Sequence, residues 1–266
     1  MICPKCGHEN QPGGETCLLC GVIFAKIKSR PADLGLVPVG ELAQSLDDNC
    51  IGNGSGIGHQ DEQYLRSQSQ DTLRHLFFPE SSETNSLIVW GRGLILLGMI
   101  IWGSKLVFVS IASNNAGESL LHLVNLPFHE AGHVVFRPFG QFITTLGGTL
   151  GQLLVPLICG GTLLFKTRDP FDAAVCSWWF GENFLDIAPY INDASAGILP
   201  LVGDNTGSSA PYGFHDWEYL LTETGMLHHD QILARLAHGF GSFLMISAIL
   251  WASYVLYLQF KGTGKA

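Results

Sequence analysis

Two short patterns in this 266-residue chain carry chemistry. The first is His129-Glu130-Ala131-Gly132-His133. On a helix, residues i and i+4 stack on one face, so His129 and His133 can share one divalent ion. Such an ion lowers the pKa of a bound water toward neutrality, and Glu130 is placed to take the proton. Ala131 and Gly132 are small enough to let another segment approach closely. The second pattern is a pair of knuckles, Cys3-Pro-Lys-Cys6-Gly7 and Cys17-Leu-Leu-Cys20-Gly21. Each turn brings two thiolates to one side, and together Cys3, Cys6, Cys17 and Cys20 make a four-sulfur site of the kind that holds structural zinc. Metal binding would supply most of the folding energy of so small a module. Two zinc ions are therefore expected, one structural and one catalytic.

The elements around the histidines are apolar. Only 14% of the residues are charged and 47% are apolar, against about 25% charge in a soluble domain. Long apolar runs occupy 87–112, 119–136, 142–165, 171–191 and 233–260, with aromatic Trp251, Tyr254 and Tyr257 near the end of the last. A bilayer crossing needs about 20 residues, and backbone polar groups in lipid must be satisfied within the segment. The expected fold class is mainly α: a polytopic helical membrane domain of four or five spans, preceded by a small zinc-ribbon. The expected organisation is 1–30 ribbon, 31–86 linker with short helices, 87–260 membrane domain and 261–266 tail. Two histidines and a glutamate in a membrane helix cost several kcal/mol unless paired or metal-bound, so the setting sharpens the motif.

A catalytic zinc takes three protein ligands and keeps one position open. Glu182, Asp186 and Asp193 fall at i, i+4 and i+11, so a helix through 178–193 puts them on one face, and Asp186 is the preferred third ligand. His215 and Asp216 are the next candidates, although Asp216 also suits the N-cap of a helix through Trp217, Leu220 and Leu221. Asn183 could donate a hydrogen bond to a reacting carbonyl oxygen, or bond a neighbouring helix. His122 lies near the histidine face two turns earlier, and its expected role is a hydrogen bond rather than ligation.

These residues resemble the site-2 protease family of intramembrane zinc metalloproteases. The matching pieces are the His129–His133 motif in a membrane segment, the glycines 147, 148 and 151 that follow, and the Asn183 and Asp186 pair in a later membrane segment. The resemblance implies zinc held by His129, His133 and Asp186, Glu130 as general base, and cleavage of a membrane protein or peptide in or near the bilayer. Asp186 is followed by Ile187 where the family usually has Gly.

The net charge of −9 disfavours nucleic acid as a partner. The remaining cysteines, Cys50, Cys159 and Cys176, are scattered and make no disulfide framework. Paired thiols that must stay reduced place the N-terminus in the cytoplasm, where the ribbon can meet a protein partner. If every apolar run spans, Lys166 and Arg168 fall outside, against the positive-inside rule. A re-entrant 142–165 would bring them inside but separate Asp186 from the histidines. Full spanning is the preferred arrangement. Two other functions fit the same residues. One is a non-catalytic membrane scaffold with a structural metal. The other is a channel or proton-coupled transporter using His122, His129, Glu130 and Asp186 as a polar path.

Overall fold

The computed structural model describes residues 76–78, 85–202 and 205–263. The four ribbon cysteines, most of the linker and the end of the tail lie outside the described residues. The described chain is helical: α1 Ser86–Val107, α2 Leu120–Phe136, α3 Gln141–Thr162, α4 Pro170–Asn192, α5 Asp216–Glu223 and α6 Asp230–Thr263. A π turn, Leu163–Thr167, extends α3. Among the described residues, three helical segments are long and apolar enough to cross a membrane: Ser86–Val107, Gln141–Thr167 and Leu227–Gly262.

Local sequence explains the helix ends. The Asn85 side chain accepts from the Leu87 amide at the start of α1, and Ser119 accepts from the His122 amide at the start of α2. Asp169 caps α4 through the amides of Phe171 and Asp172, with Pro170 in the first helical position. α2 stops at Pro138, and Gly140 turns the chain into α3 with φ +90°, a conformation that favours glycine. Large apolar side chains of α1 and α6, among them Leu87, Trp90, Leu94, Phe243 and Leu250, stand exposed, as on helices solvated by lipid. The core lies where α1, α4 and α6 meet, around Met99, Leu106, Phe171, Trp178, Leu185, Met245 and Val255.

Side-chain pairings give the helix directions. Arg92 of α1 forms an ion pair with Asp169 at the start of α4 and lies over the Phe171 ring. Further along, Leu106 and Leu185 line one small cavity. α1 and α4 therefore run parallel. α3 runs against α4, since Gly160 faces Cys176 while Gln152 bonds Asn183. α6 also runs against α4, with Gly241 at Gly181 and Ala234 among Ile187 and Ile191. α2 runs against α3, with Phe128 at Gly151 and Phe136 at Gly147.

α1 and α2 are consecutive yet point the same way. The chain must turn back between them, and it does so only partly: Leu120 and Leu121 line a groove with Gly98, Met99 and Trp102, near the middle of α1. This departs from the full-spanning arrangement preferred on sequence. The histidine helix starts part-way up the bundle and is not the return pass after α1. The segment 142–165 is not the one that turns back; it belongs to a helix of membrane-crossing length. Lys166 and Arg168 consequently lie at the same end as the start of α1. The physical reason is glycine. Gly132 of α2 sits against Gly147 and Gly148 of α3, where a Cβ on Gly132 would come within 2.0 Å of the Gly147 carbonyl. Backbones this close fix α2 on α3 in register.

Candidate metal centre

His129 and His133 stand one turn apart on α2, their ring centroids 4.8 Å from each other. Each Nδ1 is held from outside the pair. His133 Nδ1 donates to the Thr144 carbonyl of α3 at 2.8 Å. His129 Nδ1 meets Gln152 Oε1 of α3 at 2.7 Å. The Gln152 amide nitrogen donates to Asn183 Oδ1 at 3.1 Å, and the Asn183 amide nitrogen donates to the Trp179 carbonyl at 3.0 Å. A backbone carbonyl only accepts, so this chain orients both amides and makes His129 Nδ1 the donor. Both imidazoles thus present Nε2 lone pairs, the tautomer a metal ligand needs.

The third group is Asp216, in the first turn of α5. Its Oδ2 lies 2.9 Å from His129 Nε2 and 3.2 Å from His133 Nε2. The three ligating atoms all fall within 4.8 Å of one another. Ligands of a tetrahedral ion at ~2.0–2.1 Å stand about 3.3–3.4 Å apart, and the two distances from Asp216 to the histidines come near that value. With both Nδ1 atoms donating outward, three acceptor atoms face each other. They need a cation between them, either a proton or a metal ion. Two imidazole nitrogens and a carboxylate oxygen suit a borderline divalent ion.

Asp216 is held from several sides. Burial pushes its carboxyl up, but when His129 and His133 carry protons on Nε2 their hydrogen bonds and charges outweigh burial and hold it below its ordinary value. The Asp216 amide donates to the Tyr190 hydroxyl at 2.9 Å. His215 supplies the cap of α5: its Nδ1 accepts from the Glu218 amide at 3.1 Å. Its Nε2 is 3.5 Å from Asp193 Oδ2, too long for a firm hydrogen bond. Burial keeps the His215 imidazole below its ordinary pKa, against the pull of Asp193, Asp216 and Glu218. The expected helix through Trp217, Leu220 and Leu221 is present, with His215 rather than Asp216 as its cap. Asp193 binds the amides of Ile198 and Leu199, shaping the loop that leads to His215.

Asp186, the third ligand preferred on sequence, is not brought to this pair. Its Oδ1 meets His122 Nδ1 at 2.9 Å, and its Oδ2 accepts from the Asn125 amide at 3.0 Å. The same amide bonds Glu182 Oε2 at 3.0 Å, and the Trp179 indole donates to Asn125 Oδ1 at 2.8 Å. Asp186 thus faces the first turns of α2, where His122 has the hydrogen-bonding role expected of it. Asn183 is fully buried with both ends of its amide engaged, so it bonds a neighbouring helix and is not free for a reacting carbonyl. The Asp216 signal was in the sequence, as an acid beside a histidine in a polar loop. The 171–191 acids outranked it because they lie in an apolar segment.

The centre opens into a cavity of about 590 Å³ whose lining includes Glu130, Tyr190, Leu199, Val202 and Phe214. Glu130 is exposed to this space beside the two histidines it neighbours in sequence. Cys3, Cys6, Cys17 and Cys20 lie outside the described residues.

No family model matches the chain, and neither a curated protein nor a solved structure does. Fold and site together define a chain whose described residues are mainly helical, with three helices of membrane-crossing length among them. It carries a His129, His133 and Asp216 group that could bind a metal ion.

Proposed function

We propose that this chain is a membrane-embedded zinc metallohydrolase that cleaves membrane-associated polypeptides, in the manner of the site-2 proteases. His129, His133 and Asp216 hold the zinc, and Glu130 is the general base. One observation carries this reading: two Nε2 atoms and one carboxylate oxygen converge beside an open cavity that Glu130 also lines. A divalent ion held there would supply an acidified water and polarise a substrate carbonyl. The chain's own residues do the rest. Gln152 and Thr144 keep both imidazoles in the ligating tautomer. The 193–215 loop brings the third ligand and walls the cavity with Leu199, Val202 and Phe214. Glu130 accepts the proton of the attacking water and passes it to the leaving amine.

The arrangement in the bilayer follows from the helix directions. α1, α3, α4 and α6 alternate in direction and make four passes, while the chain turns back part-way after α1 and α2 runs in the same direction as α1. The thiols of Cys3, Cys6, Cys17 and Cys20 must stay reduced to hold a structural zinc, which puts the start of α1 on the cytoplasmic side, where a zinc-ribbon can recruit a protein partner. The metal centre then opens toward the opposite face.

Metal analysis of purified full-length protein tests this reading, combined with the Glu130→Gln variant. Zinc at two per chain, one of them lost when His129 and His133 are replaced by Ala, supports it. So does loss of peptide hydrolysis in Glu130→Gln with both metals retained. A Glu130→Gln variant that still hydrolyses at the wild-type rate excludes the mechanism. A scaffold with a structural metal would bind no chelating hydroxamate at the histidine site.

A further inference from the structure

Hydrolysis of a peptide bond puts negative charge on the scissile carbonyl oxygen, and a fixed donor aimed at that oxygen is among the largest contributions to rate. Asn183, the residue suggested by sequence, is committed to Gln152 and Trp179. Three other donors along the cavity are committed or distant. The Thr144 hydroxyl donates to the Gly140 carbonyl at 2.9 Å. His122 lies two helical turns from His129, about 10 Å along the axis. Arg137 is a full turn beyond His133.

We infer that Tyr190 is the oxyanion donor of this site. Its hydroxyl oxygen accepts from the Asp216 amide at 2.9 Å. That amide belongs to the residue whose carboxylate meets both histidines, so the hydroxyl is held beside the point of convergence. The ring centroid is 6.3 Å from that of His129, and Tyr190 lines the cavity. Because the oxygen's lone pair is occupied by the amide, the hydroxyl hydrogen is directed elsewhere. It has no acceptor among the described residues. The ring is fixed by stacking on the fully buried His215, with centroids 4.3 Å apart and planes at 36°. A donor clamped at its ring and at its oxygen, with its hydrogen uncommitted, is preorganised for a developing oxyanion. The tyrosine donates a hydrogen bond and keeps its proton.

This inference rests on the hydrolase reading, and the test separates the two. Zinc-loaded full-length protein and its Tyr190→Phe variant are titrated with two probes, acetohydroxamic acid and a phosphinic Leu-Leu pseudodipeptide that mimics the tetrahedral species. Turnover of fluorescein-labelled casein is followed in parallel. The expected result for Tyr190→Phe is unchanged zinc content and hydroxamate affinity. Phosphinic affinity and kcat should both fall about 100-fold, with KM unchanged. Unchanged phosphinic affinity in the variant overturns the inference while leaving the hydrolase reading intact. Loss of zinc, or an equal loss of both probes, assigns Tyr190 to holding Asp216 and overturns it as well. A wild-type protein that binds neither probe overturns both readings.

Discussion

Asp216 and His129 meet across 87 positions of sequence, Oδ2 to Nε2 at 2.9 Å. The contact joins a helix anchored on α3 to the first turn of a short helix after a long loop, and it makes Asp216, not Asp186, the third member of the group that could bind a metal ion. Replacing Asp216 by Asn should therefore strip the histidine site of zinc, whereas Asp186→Asn should leave it loaded. Equilibrium dialysis against a zinc buffer distinguishes the two. Retained zinc in Asp216→Asn with loss in Asp186→Asn would overturn the assignment.

Gln152 touches the centre only through His129 Nδ1. Gln152→Ala frees that imidazole to change tautomer and orientation. Loss of such an outer partner weakens metal affinity about 10–100-fold. Competition with a chromogenic chelator reads this directly. An unchanged affinity would mean that the bond to Gln152 does not orient the ligand.

Gly148 makes a sterically specific prediction. A Cβ there would stand 2.5 Å from His129 Nε2 and 2.6 Å from His133 Nε2. Gly148→Ala should push the two ligating nitrogens apart and abolish zinc binding at this site. It should leave the helical content seen by circular dichroism unchanged. Gly161, with nothing within 4 Å of its Cβ position, is the matched control.

The second polar cluster should govern stability rather than metal content. Asn125, Glu182 and Asp186 are buried, and Glu182 Oε1 has no partner among the described residues. Asn125→Ala removes the amide shared by both carboxylates and the acceptor of the Trp179 indole. Each buried polar group left unsatisfied costs about 1–3 kcal/mol, so a loss of at least ~3 kcal/mol is expected. Thermal unfolding in detergent would show it as a large drop in Tm, with zinc still bound below the transition.

His215 should make the metal-free protein sensitive to mild acid. Its folded pKa lies below the ordinary value near ~6.5 because burial disfavours the charged ring. The unfolded chain therefore binds more protons at mildly acidic pH. The stability His215 contributes is complete above about pH 6.5 and falls as pH drops through that value toward the folded pKa. The slope is at most about 1.4 kcal/mol per pH unit. His215→Asn keeps a capping side chain for α5 and should flatten the decline between pH 7.5 and 5. A decline of the same steepness in the variant would assign the acid sensitivity to another group.

Periodicity, hydropathy and one motif sufficed for a good deal. The helix boundaries follow the apolar runs to within a few residues, because a segment that must bury its own backbone polar groups becomes a helix wherever its side chains are apolar. His129 and His133 were legible as a ligand pair since their spacing is a property of a single helix. Gly132 was legible as a place of close approach for the same local reason, but its partners Gly147 and Gly148 were not. The choice of Asp216 over Asp186, the return of the chain before α2 and which of its two readings Asn183 follows were not legible. Each depends on which helix faces meet, and several acids sat at equivalent positions in the pattern. Only the packed bundle, with α2 locked onto α3 by backbone contact and α4 turned toward His122 and Asn125, chose among them. A carboxylate can serve one partner set at a time, and that choice is made in three dimensions.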